Sequence, residues 1–179
     1  MRSSPETESN MTIIRSDPHA FINRRSGTLA DRSVKLDETV RRSLGAKARE
    51  HHAYLVVSFN LSEDDGTVSN ATVLFDRQGK VAGIYRKVFC LSAADGNSVE
   101  GGKRPGTEFP VFDTDFGRIG MLICYDMGFE DGFEAYAREG VDMVVWPEWH
   151  ELQGVLGCRP CRADRSFSSR SLGSSATQG

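Results

Sequence analysis

The sequence predicts an α/β fold, in which helices and sheets pack as layers, and three observations predict it. An amphipathic helix pattern over residues 35–52 runs directly into a short apolar strand pattern over residues 53–60. Two further apolar runs flank the glycine-bearing turn sequence RQGK at residues 77–80. A strand, a helix and a strand then follow one another between residues 118 and 147.

The first half of the chain supplies the helix and the hairpin. In the stretch KLDETVRRSLGAKAREHH, apolar residues recur at every fourth position, at Leu36, Val40, Leu44 and Ala48. This spacing predicts one apolar helix face that packs against a sheet. The run AYLVVSFN predicts the next strand, and the segments at residues 71–76 and 81–88 predict an antiparallel pair around the turn.

The second half predicts a loop and a strand, helix and strand. Residues 92–106 form a polar, glycine-bearing loop, and loops of this length are more often functional than shorter ones. Two strands follow around a turn at residues 115–117, then a helix over residues 129–140 and a strand over residues 141–147. The strand after the turn, at residues 118–126, ends in Cys124, Tyr125 and Asp126, at the sheet edge where α/β proteins tend to bind ligands.

The totals predict one globular domain that binds a small molecule. A chain of 179 residues is about one domain long, and it buries roughly 70% of its unfolded surface on folding. The net charge of −3 provides no broad basic surface for nucleic acid or an anionic membrane. The chain has no apolar stretch of ~18 residues and no apolar core of a secretory signal, so we expect a cytoplasmic protein.

The C-terminal segment differs from the rest of the chain. Residues 158–179 hold six serines and four arginines without apolar periodicity, so residues 1–157 are predicted to form the domain and residues 158–179 a disordered tail. The pair Cys158 and Cys161 resembles half of a zinc site, but a second pair at suitable spacing is missing. A metal site is therefore not predicted.

A thiol, an amine and carboxylates together indicate attack on a carbon bonded to nitrogen. Cys124 alone would more often be a core residue, but Lys87, Glu6 and Glu100 provide the groups that a nucleophilic thiol needs. A glutamate can accept the thiol proton, and a lysine can stabilise the oxyanion of the tetrahedral intermediate. Asp126 is interpreted instead as a residue that orients the turn after Cys124 through backbone N–H groups.

The segments YRKVF, PGTEFPVFDTDFGRIGMLICYD and EGVDMVVWP, in this order, resemble the carbon-nitrogen hydrolase family, also called the nitrilase superfamily. The resemblance covers residues 54–148 and implies a four-layer α-β-β-α sandwich, of which this chain would hold a part. It also implies a Glu-Lys-Cys triad, hydrolysis of amides, N-carbamoyl amides or nitriles without metal or cofactor, and assembly as homo-oligomers.

Carried over by motif, the resemblance makes Cys124 the nucleophile and Lys87 the triad lysine, 124 − 87 = 37 positions earlier. The base falls on Glu6, which follows a proline as in the family, although the apolar strand expected before it is absent. Glu100, in the loop ahead of a Pro-Gly pair, would position the substrate, and the backbone N–H of Tyr125 would contribute to oxyanion binding.

Family members are longer, so the resemblance implies a chain truncated at both ends, and the tail composition suggests a change of reading frame near Leu152. The alternative to an amidohydrolase is a catalytically inactive fragment that associates with a partner chain through its uncovered sheet or helix face. The substrate itself is not predicted.

Overall fold

A computed structural model describes residues 27–92 and 100–147 of the chain. Within these ranges the chain forms two α-helices and seven strands, and the strands are arranged in two sheets. Helix α1 spans Glu38–Glu50 and begins where the side chain of Asp37 accepts a hydrogen bond from the N–H of Val40. Helix α2 spans Glu130–Arg138, and short 3-10 helices lie at Ala30–Arg32 and Cys124–Gly128. The predictions for Glu6 and for the tail at residues 158–179 lie outside the described residues.

The first sheet has four strands in the order β1-β2-β3-β4. These strands are β1 at Val34–Lys35, β2 at Leu55–Ser62, β3 at Val68–Phe75 and β4 at Val81–Arg86. Strand β3 pairs with β2 and β4 in antiparallel fashion, and β1 runs parallel to β2. The predicted hairpin around residues 77–80 is therefore confirmed, and Gly79 at its turn has a φ of +76°, which glycine adopts without steric cost.

The second sheet has three strands, β5 at Phe112–Thr114, β6 at Gly117–Met121 and β7 at Met143–Val145. Strands β5 and β6 form an antiparallel hairpin, whereas β6 and β7 are parallel and joined through α2. A parallel pair needs such a crossover connection, so the predicted order of strand, helix and strand is present as a βαβ unit.

The predicted strands all have different bounds in the structure, and two of them differ most. Strand β3 begins at Val68, three residues before the predicted start, because the polar Ser69 and Asn70 pair with β2 although they interrupt the apolar run. Strand β6 ends at Met121, before the predicted end at residue 126. Its pairing nevertheless continues, since the N–H of Cys124 donates to the carbonyl of Pro147 at 3.1 Å.

The main core lies between the two sheets. A cluster of buried residues combines Tyr54, Val56, Leu74 and Tyr85 of the first sheet with Ile119, Met121 and Val145 of the second. The sheets approach closely at Gly83, where a Cβ atom would lie 2.0 Å from the ring of Phe112. Such contact between inner faces is the packing of a β-sandwich.

Helices cover the outer faces of the two sheets. Leu44 and Ala48 of α1 pack with Val57 and other residues of the first sheet in a second core cluster. On the second sheet, the ring of Tyr136 from α2 packs directly against the main chain of Gly120. The described part of the chain thus has the order helix, sheet, sheet, helix, in agreement with the predicted α/β class and part of a four-layer sandwich. None of the described helices is long and apolar enough to cross a membrane.

Candidate active site

Lys87 directly follows strand β4, and its side chain is buried. Its N–H donates to the carbonyl of Asn70 at 2.8 Å, so the ladder between β3 and β4 continues one residue beyond the strand and fixes the backbone there. The side chain of Lys87 is 2% exposed, and its ammonium group donates a hydrogen bond to Oε1 of Glu100. A buried ammonium needs such an acceptor, because an unpaired buried charge is strongly unfavourable.

Glu100 receives hydrogen bonds on both carboxylate oxygens. Oε1 also accepts from the N–H of Leu91 at 3.2 Å, and Oε2 accepts from the side-chain amide of Asn70 at 3.2 Å. Burial alone would raise the pKa of Glu100, but the hydrogen bonds from Lys87 and Leu91 outweigh it and hold that pKa below its usual value. Glu100 is therefore an ionised partner of Lys87 at neutral pH.

The loop that carries Glu100 is attached to the end of β4 by its backbone. The N–H of Gly106 donates to the carbonyl of Lys87 at 2.7 Å. A Cβ atom at Gly106 would lie 2.2 Å from the carbonyl oxygen of Arg86, so only glycine allows this approach. Glu100 and Lys87 are thus brought together by main-chain contacts as well as by their charges.

Cys124 lies at the carboxyl end of the extended run that follows β6, and it has a φ of +46°. This left-handed conformation is uncommon for a residue with a Cβ atom and is found most often where the surroundings enforce it, including functional sites. Two hydrogen bonds hold it here: the N–H of Cys124 donates to Pro147, and the indole N–H of Trp146 donates to the carbonyl of Cys124 at 2.9 Å.

Asp126 connects the Cys124 turn with the segment around Lys87. Its fully buried carboxylate accepts hydrogen bonds from the N–H of Ile123 at 2.9 Å, the N–H of Phe89 at 2.8 Å and the hydroxyl of Tyr85 at 2.7 Å. Burial raises the pKa of Asp126, although these hydrogen bonds act in the opposite direction. The local contact with Ile123 agrees with the predicted role, while the contacts with Phe89 and Tyr85 were not predicted.

Of the two remaining predicted site residues, Tyr125 lies within the described residues and Glu6 lies outside them. Tyr125 is the second residue of the 3-10 helix Cys124–Gly128, so its N–H lies in a first turn, where N–H groups have no acceptor within the helix. Its side chain is 45% exposed. Glu6 lies outside the described residues, so its position relative to Cys124 stays a prediction.

Two neighbours of Glu100 were missed from the sequence. Nζ of Lys103 lies 3.7 Å from Oε2 of Glu100, and burial lowers the pKa of Lys103. Asn70 lies opposite Lys87, one pair beyond Ala71 and Arg86, but a bulge between Leu74 and Phe75 shifts the register by one residue, so the turn sequence alone does not predict this pairing. For Lys103 the sequence holds no signal beyond its place in the same loop.

Cys90 is the second cysteine within the described residues, and it is half-buried. Burial raises the pKa of its thiol, which disfavours the thiolate. Across residues 27–92 and 100–147, no group of three or more His, Cys, Asp or Glu side chains is arranged to hold a metal ion. Cys158 and Cys161 lie outside these ranges.

Comparisons with known proteins agree with this architecture. Residues 15–157 match the family model described as carbon-nitrogen hydrolase. The human omega-amidase is 32% identical over 108 residues, which are 58% of this chain and 39% of that protein. The deaminated glutathione amidase of Yersinia enterocolitica is 31% identical over 91 residues, which are 48% of this chain and 32% of that protein.

Among solved structures, a mutant of the amidase from Nesterenkonia sp. AN1 has the same fold over 73% of this chain and 48% of its own, with a TM-score of 0.55 and 23% identity. The chain spans 32% to 39% of the length of the two curated relatives above. Because the family match extends over most of the sequence, this chain belongs to the carbon-nitrogen hydrolase family.

Proposed function

We propose that this chain carries the nucleophile and the cationic residue of a thiol amidohydrolase that cleaves a non-peptide carbon-nitrogen bond. The triad is Glu6, Lys87 and Cys124, with Glu100 and the N–H of Tyr125 positioning the substrate. The supporting observation is the buried hydrogen-bond network of Asp126, which joins the hydroxyl of Tyr85 and the N–H of Phe89, on either side of Lys87, to the strained turn of Cys124. A core cysteine that only fills space would need neither the strained backbone nor the buried cation.

Acylation begins when Sγ of Cys124 attacks the carbonyl carbon of the amide and its proton passes to the carboxylate of Glu6. The carbonyl electrons move to the oxygen, and the ammonium group of Lys87 and the N–H of Tyr125 stabilise the negative charge. When the intermediate collapses, the carbon-nitrogen bond breaks and the leaving nitrogen takes the proton from Glu6. Ammonia leaves, and the acyl group remains on Cys124 as a thioester.

Deacylation repeats these steps with water. Glu6, again ionised, accepts a proton from a water molecule that attacks the thioester carbon. The second tetrahedral intermediate is stabilised by the same groups, and its collapse returns the proton to sulfur. A carboxylic acid leaves and the thiol of Cys124 is restored, so no metal, oxidant or cofactor is required by the balance of atoms.

The relatives support a small amide as substrate. The curated relatives include an omega-amidase and a deaminated glutathione amidase as well as a probable nitrilase, and one solved structure shows Michael addition of acrylamide at the active site cysteine of the Nesterenkonia amidase. We therefore place aliphatic amides first among the candidate substrates, ahead of N-carbamoyl amides and nitriles. Homo-oligomeric assembly and a cytoplasmic location stay predictions.

Ammonia release tests the proposal. The full chain is incubated with a panel of aliphatic amides, N-carbamoyl amides and nitriles, and ammonia is measured by an enzyme-coupled assay. We expect turnover of at least one amide and loss of at least ~10³-fold in Cys124→Ser, because a hydroxyl is a much weaker nucleophile than a thiol at neutral pH. Absence of turnover with every class, or equal turnover in Cys124→Ser, would contradict the proposal.

The second candidate is an inactive family member that acts through a partner chain. In that case gel filtration with a full-length relative would give mixed oligomers without ammonia release. We also propose a domain that ends at residue 157, which the end of the family match supports.

A further inference from the structure

We propose that Asp126 is a positioning residue, whose carboxylate sets the place of the Cys124 turn relative to Lys87. The inference deepens the proposed function and rests on it, because the two residues that Asp126 connects are the proposed nucleophile and the proposed cation. Asp126 itself touches neither the substrate nor the reacting atoms in this account. It acts by holding in place the segments that carry Cys124 and Lys87.

The carboxylate spans two elements that are distant in sequence. Oδ2 accepts from the N–H of Ile123, the residue before Cys124, and Oδ1 accepts from the N–H of Phe89, two residues after Lys87. The hydroxyl of Tyr85, two residues before Lys87, donates to Oδ2. The side chain of Asp126 therefore connects the turn of Cys124 with residues on both sides of Lys87 through hydrogen bonds.

These three donors require a group that only accepts. An ionised carboxylate has about four acceptor sites and no donor, so it can satisfy two N–H groups and a hydroxyl together. An asparagine at this position has one accepting oxygen and one donating nitrogen. Whichever way its amide is turned, the nitrogen faces either the N–H of Phe89 or the N–H of Ile123, and one of the two backbone links is lost.

Stability alone does not explain a buried charge at this position. Burying a carboxylate carries a large desolvation cost, and replacing buried charged groups with apolar residues of similar size is often neutral or stabilising. The benefit expected from Asp126 is geometric. Displacement of a reacting group by about 1 Å can lower a rate about 100-fold, and residues behind a site commonly supply this precision.

Tyr85→Phe is a milder change to the same hydrogen-bond network than Asp126→Asn. The tyrosine is fully buried, and its ring stacks near Phe109, so phenylalanine keeps the packing. The change removes one of the three hydrogen bonds and leaves both backbone links and the carboxylate. We expect it to weaken the positioning without abolishing it.

The experiment measures how fast acrylamide labels Cys124 and Cys90 in the same molecule. After quenching and trypsin digestion, mass spectrometry quantifies the peptides at residues 119–138 and 88–103, which contain Cys124 and Cys90 respectively. In the unaltered chain, labelling of Cys124 should saturate with acrylamide concentration and be slowed by propionamide, which competes for the same site but has no double bond to which the thiol can add. Labelling of Cys90 should do neither. If Cys124 also does neither, the proposed function fails, and this inference fails with it.

Where the unaltered chain behaves as expected, the variants test Asp126 alone. We expect the limiting rate at Cys124 to fall about 100-fold in Asp126→Asn and about tenfold or less in Tyr85→Phe, while Cys90 labels at its original rate. Cys90 directly follows Phe89, so a loosened fold would speed its labelling. An unchanged rate at Cys124 in both variants, or a faster rate at both cysteines, would overturn the inference. If Asp126→Asn does not fold, Tyr85→Phe alone tests the inference. An unchanged labelling rate at Cys124 in Tyr85→Phe overturns it. A lower rate at Cys124 with an unchanged rate at Cys90 supports it.

Discussion

Lys87 donates a hydrogen bond from its buried ammonium group to the carboxylate of Glu100, which is 10% exposed in the loop that precedes β5. The pair joins the end of strand β4 to a loop that the sequence identifies only by its length and its Pro-Gly pair. Because both groups are withdrawn from water, each depends on the other for compensation of its charge. The consequences can be measured in stability as well as in turnover.

Glu100→Gln should destabilise the chain in a pH-dependent way. The pKa of Glu100 lies below its ordinary value of 4.5, so the ionised carboxylate stabilises the folded chain above that pH. This contribution is lost as the pH falls through the lowered pKa of the folded state. We expect the variant to lose about 3 kcal/mol of unfolding free energy at pH 7, since it leaves Lys87 without a carboxylate, and progressively less below the ordinary value.

Urea unfolding from pH 7 downward measures this difference. Glu134→Gln is the matched control, because Glu134 is exposed on α2 and its replacement should change stability by less than about 0.5 kcal/mol. A deficit in Glu100→Gln that stays the same at every pH would contradict the lowered pKa of Glu100.

Lys87→Met should lower turnover strongly in the molecules that stay folded, and it also destabilises the chain because it leaves the carboxylate of Glu100 without its cation. Methionine keeps the length of the side chain and removes the positive charge that stabilises the oxyanion, a change that typically lowers kcat by about 10²–10³-fold. Lys80→Met removes an exposed lysine from the hairpin turn and should retain full turnover. Ammonia release compares the two, and equal activity would show that Lys87 is only a structural cation.

Gly106→Ala should displace the loop that carries Glu100. The new Cβ atom would lie 2.2 Å from the carbonyl oxygen of Arg86, and a backbone atom cannot move aside as a flexible side chain can. Overpacking of this kind costs about 1–3 kcal/mol, which urea unfolding would detect. Gly128→Ala is the control, since no atom lies within 4 Å of the corresponding Cβ position. Equal midpoints for both variants would contradict the close approach.

Tyr136→Phe should destabilise the sheet that ends in Cys124. The hydroxyl of Tyr136 donates to the carbonyl of Met121 at 2.6 Å and accepts from its N–H at 3.0 Å. Phenylalanine leaves both buried groups without this partner, for an expected loss of about 2 kcal/mol. Tyr125→Phe, at an exposed ring, should leave the urea midpoint unchanged. Similar effects of Tyr136→Phe and Tyr125→Phe on the urea midpoint would indicate that the hydrogen bonds of the Tyr136 hydroxyl contribute nothing to stability.

Much of the fold could be predicted from periodicity. The amphipathic pattern of α1, the glycine turn of the hairpin and the order of strand, helix and strand around Cys124 each have a local physical cause. The two largest differences in strand bounds arise because Ser69 and Asn70 are polar residues inside a paired strand and because β6 leaves regular geometry before Cys124. In both places tertiary contacts outweigh local preference.

The contacts of the candidate site could be predicted only in part. Lys87, Glu100 and Cys124 were predicted from motifs, and the hydrogen bond between Lys87 and Glu100 agrees with a shared site. The reach of Asp126 to Phe89 and Tyr85 could not be predicted, because it depends on how the two sheets pack. Lys103 was missed for a similar reason, since only the folded loop brings it near Glu100.

The central claim is that the thiol of Cys124 becomes acylated by an amide substrate. Its most direct measurement is mass spectrometry of the full chain quenched in acid within milliseconds to seconds of mixing with an amide that is turned over, followed by digestion. We expect the peptide at residues 119–138 to gain the mass of the acyl group, and the added mass to disappear when the sample is left to turn over. An acyl group on another peptide and none on this one would contradict the claim.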